Sequence, residues 1–250
     1  MTTLSYKTAL ITGASSGLGR GLATWFAKQG VIVYAAARRT DALESLRREV
    51  GDTIVPLALD VSKADEAHAR ITVLDAECGG LDLVVANAGV GTHTPGKRID
   101  WSVVKGIVDV NVTGALATLC APLPAMVKRG RGHLVGVSSL AGFIAAPRLS
   151  TYCASKSFLT TWLASIRLDV AKVGIHVTTI QPGYVKSEMT AQNQAGSMPF
   201  LMETDEAVER MGKAIVRKAK VYAFPWQISA SIAAVNMLPP ALMEKIVNKF

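Results

Sequence analysis

The chain has 250 residues, half of them apolar, with a formal net charge of +8 and three cysteines. That supports a substantial core, and one α/β domain over residues 1–250 is the expectation. No Lys/Arg run exceeds two residues and aromatics do not interleave with them, so a nucleic-acid partner is not expected; the charge better suits an anionic cofactor or substrate.

The N-terminus runs into the strand pattern "TALITG" without a charged region, apolar stretch and small-residue cleavage site, so export is not expected. "ITGASSGLGRG" follows that strand and opens the first helix. Gly13 there permits a tight turn, Gly17 the approach of a pyrophosphate, and Gly19 close packing of helix on sheet. The second strand, "VIVYAAAR", ends at Ala37, Arg38 and Arg39, where an NAD-specific site would offer a carboxylate to the ribose. Two guanidinium groups match a 2'-phosphate, which favours NADP(H), with NAD(H) as the alternative. "TIVPLALD" ends at Asp60, an acceptor for an adenine amino group or a helix cap.

The alternation continues through "LDLVVANAG", "HLVGVSS" and "IHVTTIQPG", each separated by stretches of helical period. It predicts a Rossmann-type doubly wound sheet, mostly parallel, with helices on both faces, six strands and a seventh at "KVYAFP". Several strands end in small or polar residues, which should converge on one crevice at the carboxyl edge of the sheet. No run of 18 wholly apolar residues occurs, which argues against an ordinary membrane span. Cys78, Cys120 and Cys153 lack an even count and metal-ligand spacing, and His68, His93, His133 and His176 show no such pairing. Neither a disulfide framework nor a metal site is expected, and a reducing, cytoplasmic compartment is.

Tyr152 and Lys156, four positions apart in "TYCASK", share one face of a predicted helix. A phenol titrates near about 10, and a neighbouring ammonium favours its ionised form, so the pair can serve acid/base chemistry. Spacing alone does not separate this from two residues on a solvated face.

The loop "TGASSGLG", "NAG" at 87–89, Asn111 in "DVNVTG", "SS" at 138–139, "YCASK" and "PGYVKSEM", in this order, resemble the short-chain dehydrogenase/reductase family over about residues 5–190. The resemblance implies a tetrad of Asn111, Ser139, Tyr152 and Lys156. Ser139 is chosen over Ser138 because the family serine stands thirteen residues before the tyrosine and three before a glycine, here Gly142. Hydride from NADPH would reach a carbonyl carbon while Tyr152 donates a proton to the oxygen; the reverse reaction would use the tyrosinate as base. Lys156 would also hold the nicotinamide ribose, and Asn111 a helix kink and a water. The implied cofactor contacts are Gly13, Ser15, Ser16, Gly17, Leu18, Gly19, Arg38, Arg39, Asp60, Val61, Asn87, Ala88, Gly89, Tyr152, Lys156, Pro182, Gly183, Val185 and Ser187. Ser187 replaces the threonine common in the family.

The aperiodic region about 187–205 is the candidate lid over the substrate. The C-terminal segment about 221–250 departs from the family: no charged side chain occurs between Lys220 and Glu244, and apolar residues occupy several helical faces. It should bury more than one side, with Pro239 and Pro240 dividing it into a helix of about a dozen residues and a tail. Closing the substrate pocket, joining subunits of a homo-oligomer, or lying on a membrane surface with Lys245 and Lys249 toward lipid are its candidate uses. An apolar lid and tail suggest a hydrophobic ketone, aldehyde or alcohol substrate. The rival readings are a cofactor-binding regulatory or scaffold protein without turnover and a SAM-dependent transferase; the latter gives no reason for the Tyr152–Lys156 spacing.

Overall fold

Short β-branched runs become strands here because both of their faces are covered. Among the described residues they form one sheet of seven: β1 (Thr8–Thr12), β2 (Ile32–Ala37), β3 (Ile54–Ala58), β4 (Leu83–Ala86), β5 (Gly132–Val137), β6 (Ile175–Pro182) and β7 (Val221–Phe224). The computed structural model describes residues 4–191, 198–239 and 241–243. All strands are parallel, in the order β3-β2-β1-β4-β5-β6-β7. The Rossmann-type fold is therefore present, and "KVYAFP" supplies the seventh strand beside β6.

Helices α1 (Gly17–Ala27), α2 (Thr40–Val50) and α8 (Thr204–Val216) bury Leu22, Phe26, Leu46, Met211 and Ile215 on one face of the sheet. On the other face, α3 (Ala64–Glu77), α5 (Ala115–Cys120) and α7 (Ser150–Asp169) bury Ile71, Leu119, Leu159 and Leu163. Each such side chain contributes about 1.5–3 kcal/mol on burial. Every residue of β1 is buried, which is why its sequence shows no apolar/polar alternation.

Strand order reverses between β1 and β4, so the chain leaves them toward opposite sides and opens a crevice at their carboxyl ends. Between β4 and β5 the helical run 101–129 holds α4 (Trp101–Val108), the π-helical turn Asp109–Gly114, α5 and α6 (Leu123–Arg129). By length and composition Trp101–Arg129 could cross a membrane, but 56% of its most apolar window is buried inside the fold, as in a core helix.

The C-terminal segment corrects one expectation. Helix α9 (Trp226–Asn236) forms over the predicted length, yet none of its residues is buried. Among the described residues the fold supplies a layer beneath it, β7 and the 3-10 turn Leu140–Phe143, but no second layer above. Trp226 is 72% and Met237 87% exposed. Asn236 Nδ2 donates to the Phe143 carbonyl at 2.7 Å, tying the far end of α9 to the turn that follows Ser139. Pro240, Lys245, Ile246 and Lys249 of the proposed tail, and 192–197 of the lid, lie outside the described residues.

Candidate active site

Strand ends β1, β4, β5 and β6 and the first turns of α1 and α7 meet at one crevice. Gly13 and Gly17 adopt φ values of +70° and +52°, the left-handed region that a glycine takes without strain. A Cβ on Gly13 would stand 2.8 Å from Ala88 Cα, and one on Gly19 would strike the Gly13 carbonyl, so the loop is pressed onto the sheet. Above Gly17 the nearest atom to such a Cβ is Ser187 Cβ, at 3.7 Å. Ser16 sits at the N-cap of α1 without capping it through its side chain, leaving the first N–H groups, over Leu18 and Gly19, open to another acceptor. A tight glycine loop aimed along a helix N-terminus fits the pyrophosphate of a dinucleotide.

Thr12, the last residue of β1, joins the two halves of this cradle. Its hydroxyl donates to Val85 O at 3.3 Å and accepts from the N–H groups of Asn87 and Ala88 at 3.1 and 3.2 Å. Asn87 Nδ2 returns a bond to Thr12 O at 2.9 Å. A hydroxyl at a buried strand end, beside the glycine loop, was the available signal.

Arg38 and Arg39 leave β2 exposed at the crevice mouth. Arg39 folds over the loop, reaching Ser15 Oγ at 3.1 Å and Ser16 Oγ at 2.8 Å, and meets Glu188. Asp60 caps no helix; its carboxylate accepts from Ser62 N–H and Oγ at 3.0 and 2.7 Å, turning the chain at Val61. Burial opposes its ionisation, but the Ser62 bonds and the Arg38 charge outweigh that and hold the carboxyl below its usual range.

Asn111 lies in the π-helical turn and is 1% exposed. Its amide is spent on backbone and on α7: Nδ2 donates to Val90 O at 2.9 Å and Ser155 Oγ at 3.0 Å, while Oδ1 accepts from Val90 N–H at 2.8 Å. The extra residue of a π turn accommodates this inward side chain. Of the two serines, Ser138 is committed to Lys156 O at 2.8 Å and Thr160 Oγ1 at 2.7 Å. Ser139 Oγ reaches Pro182 O at 3.3 Å and accepts from Ala141 N–H at 3.1 Å, with the Tyr152 phenol beside it.

Lys156 is buried, its Nζ donating to Val137 O at 2.9 Å and lying 5.8 Å from the Tyr152 ring centroid. It also faces the "NAG" loop: a Cβ on Gly89 would be 3.3 Å from Nζ and 3.4 Å from Asn111 Oδ1. Burial pushes the Lys156 ammonium down to about 8. Burial raises the Tyr152 phenol above its ordinary value, and the Ser139 hydroxyl pulls it back part of the way. At neutral pH the phenol is therefore protonated beside a charged lysine, a proton donor with its charge partner in place.

Gly183 and Val185 carry the chain from β6 across the crevice, with Lys186 N–H bonded to Met202 O at 2.9 Å. Ser187 N–H is taken by Thr190 Oγ1 at 2.9 Å, and its hydroxyl faces the same threonine at 3.3 Å. His93 points to solvent, and no cluster of metal-binding side chains exists among the described residues.

A family model described as short chain dehydrogenase matches residues 7–197. The chain belongs to the short chain dehydrogenase family. It is 57% identical over its whole length to an uncharacterized oxidoreductase of Myxococcus xanthus, of which it covers 99%. Among solved structures it resembles a short-chain dehydrogenase of Sphingobium yanoikuyae in complex with NADPH (26% identity, TM-score 0.82, 95% of both chains). A 3-ketoacyl-(acyl-carrier-protein) reductase of Brucella melitensis complexed with NADH is also similar (25% identity, TM-score 0.77, 87% of this chain and 95% of that one). Short chain dehydrogenases are oxidoreductases that bind a nicotinamide cofactor.

Proposed function

We propose that the chain is an NADP(H)-dependent reductase of a small hydrophobic ketone or aldehyde, or oxidises the corresponding alcohol. The observation that carries the reading is the meeting of Tyr152, Lys156, Ser139 and Asn111 beside the glycine loop. The nicotinamide, when bound, supplies or accepts the hydride.

The residues of this chain do the rest. Tyr152 holds the proton destined for the carbonyl oxygen, because burial keeps its phenol neutral. Ser139 donates a hydrogen bond to that oxygen as charge gathers there. Lys156 stabilises the phenolate left behind and restores its proton, and Asn111 fixes the loop against which Lys156 lies. Support for NADP(H) comes from Arg38 and Arg39 at the end of β2, where no acidic side chain intervenes before Asp41. Support for an apolar substrate comes from Met189 beside Gly91 and Tyr152, and from Ile228 of α9 against Gly183.

Following NADPH absorbance against a panel of apolar ketones and aldehydes tests the reading, with Tyr152→Phe as control. Turnover that depends on Tyr152 is expected. Unchanged turnover in the variant, or no binding of either dinucleotide, overturns it.

A further inference from the structure

The crevice mouth holds an acid to which neither the family resemblance nor the reaction assigns a task. Glu188 meets Arg39 through two bonds, Nη1 to Oε1 at 3.3 Å and Nη2 to Oε2 at 3.1 Å, and accepts from Ser16 Oγ at 3.1 Å. Arg39 reaches Ser15 and Ser16 with the same guanidinium. The carboxylate has thus gathered a guanidinium fork and a loop hydroxyl, the donors that a phosphate monoester would collect in that place. Those bonds hold its carboxyl below the usual range, so it is charged at neutral pH.

The segment bearing Glu188 lies across the mouth, with Ser187 against the glycine loop at Gly17 and Met189 against Gly91. The ion pair is open to water, with side-chain exposures of 50% for Arg39 and 67% for Glu188. An exposed pair exchanges partners readily, since its net worth is only about 0–1 kcal/mol.

We propose that Glu188 tunes cofactor specificity: its carboxylate is a resident counter-ion of Arg39 that the 2'-phosphate of NADP(H) must displace, whereas a dinucleotide with a free 2'-hydroxyl leaves it in place. This rests on the reading of Arg38 and Arg39 as a 2'-phosphate site. Part of the attraction of Arg39 for phosphate is spent on breaking the internal pair, so the preference for NADP(H) is smaller than the arginines alone would give.

The test is a set of dissociation constants for wild type, Glu188→Gln, Arg39→Gln and the double variant. NADPH and NADH are followed by nicotinamide fluorescence; adenosine 2',5'-bisphosphate and 5'-AMP, which probe the adenosine end alone, by calorimetry. Glu188→Gln should tighten NADPH and the bisphosphate about two- to fivefold, the scale of an exposed ion pair, and leave NADH and 5'-AMP within about 1.5-fold. The gain should vanish when Arg39 is already Gln. Equal tightening of all four ligands would mean simple removal of a negative charge and overturns the proposal, as does weaker NADPH binding or a gain that persists without Arg39. An unchanged NADPH-to-NADH ratio in Arg39→Gln would instead remove the arginine site itself, and no binding of either dinucleotide would remove the nicotinamide reading. A failure confined to Glu188→Gln leaves both standing.

Discussion

At the amino-terminal end of the sheet, Tyr6 donates to His133 Nδ1 at 2.7 Å, and His133 Nε2 meets Thr178 Oγ1 at 2.8 Å. Thr178 passes its own proton to Ala219 O at 2.6 Å, so His133 carries a hydrogen on Nε2, and burial keeps the ring neutral, which leaves Nδ1 to accept from Tyr6. At the carboxyl end Lys156 and Ser139 are buried and Tyr152 is half-buried, but a lysine ammonium has three protons and Lys156 gives one to Val137 O. Burial raises both tyrosines. Of the two, only Tyr152 has a cation close to its ring, while the charge of the acid Asp82 adds to the rise at Tyr6. A closed chain of donors and acceptors stabilises; an open one has capacity left for a ligand.

Breaking the open end should have the largest effect. Tyr152→Phe removes the proton donor, and turnover should fall about 100- to 10,000-fold in NADPH-linked absorbance assays while NADPH fluorescence titrations still report binding. At the closed end the expected readout is stability. Burial pushes His133 down to about 3, against about 6.5 in the unfolded chain. The unfolded state therefore binds the extra proton between these values. The His133 contribution is fully present above pH about 6.5 and is lost as pH falls toward 3, by up to about 1.4 kcal/mol per pH unit. Urea midpoints across that window should show a shallower slope for His133→Asn than for wild type.

Tyr6→Phe leaves His133 Nδ1 without its donor and should lower unfolding free energy by about 1–3 kcal/mol in urea, with turnover unchanged. The smallest effect tests the link between α9 and the site. Asn236→Ala removes an exposed bond to Phe143 O and should lower stability by no more than about 1 kcal/mol. Because Phe143 closes the turn after Ser139, KM for an apolar substrate should rise more than kcat falls, measured by initial rates.

The two ends also differ in how far the sequence exposes them. Strands, glycine loop and the Tyr152–Lys156 pair are local patterns, visible because period and spacing are properties of neighbours in the chain. Asn111 was legible as a residue but not as the occupant of a π turn, since that geometry is set by Val90 and Ser155 from other segments. The Tyr6–His133–Thr178 chain joins three distant strands or loops, and Glu188 meets Arg39 across 149 positions. Such pairings follow from strand order, which no periodicity encodes. The misjudged burial of α9 has a similar cause: apolar composition states what a helix could cover, whereas the number of layers above it is set by the rest of the fold.

The strand order also governs how the molecule must come into being during synthesis. β1 is the earliest strand and a central one, yet its partner β4 begins about 70 residues after β1 ends. Through that interval a nascent chain holding β1, β2 and β3 presents one side of a wholly buried strand as an unpaired apolar edge, a template for pairing with another chain. The same interval leaves the glycine loop without Asn87 and Ala88, the residues just past β4 that Thr12 will hold, so the oldest part of the crevice has no binding shape until much younger chain arrives.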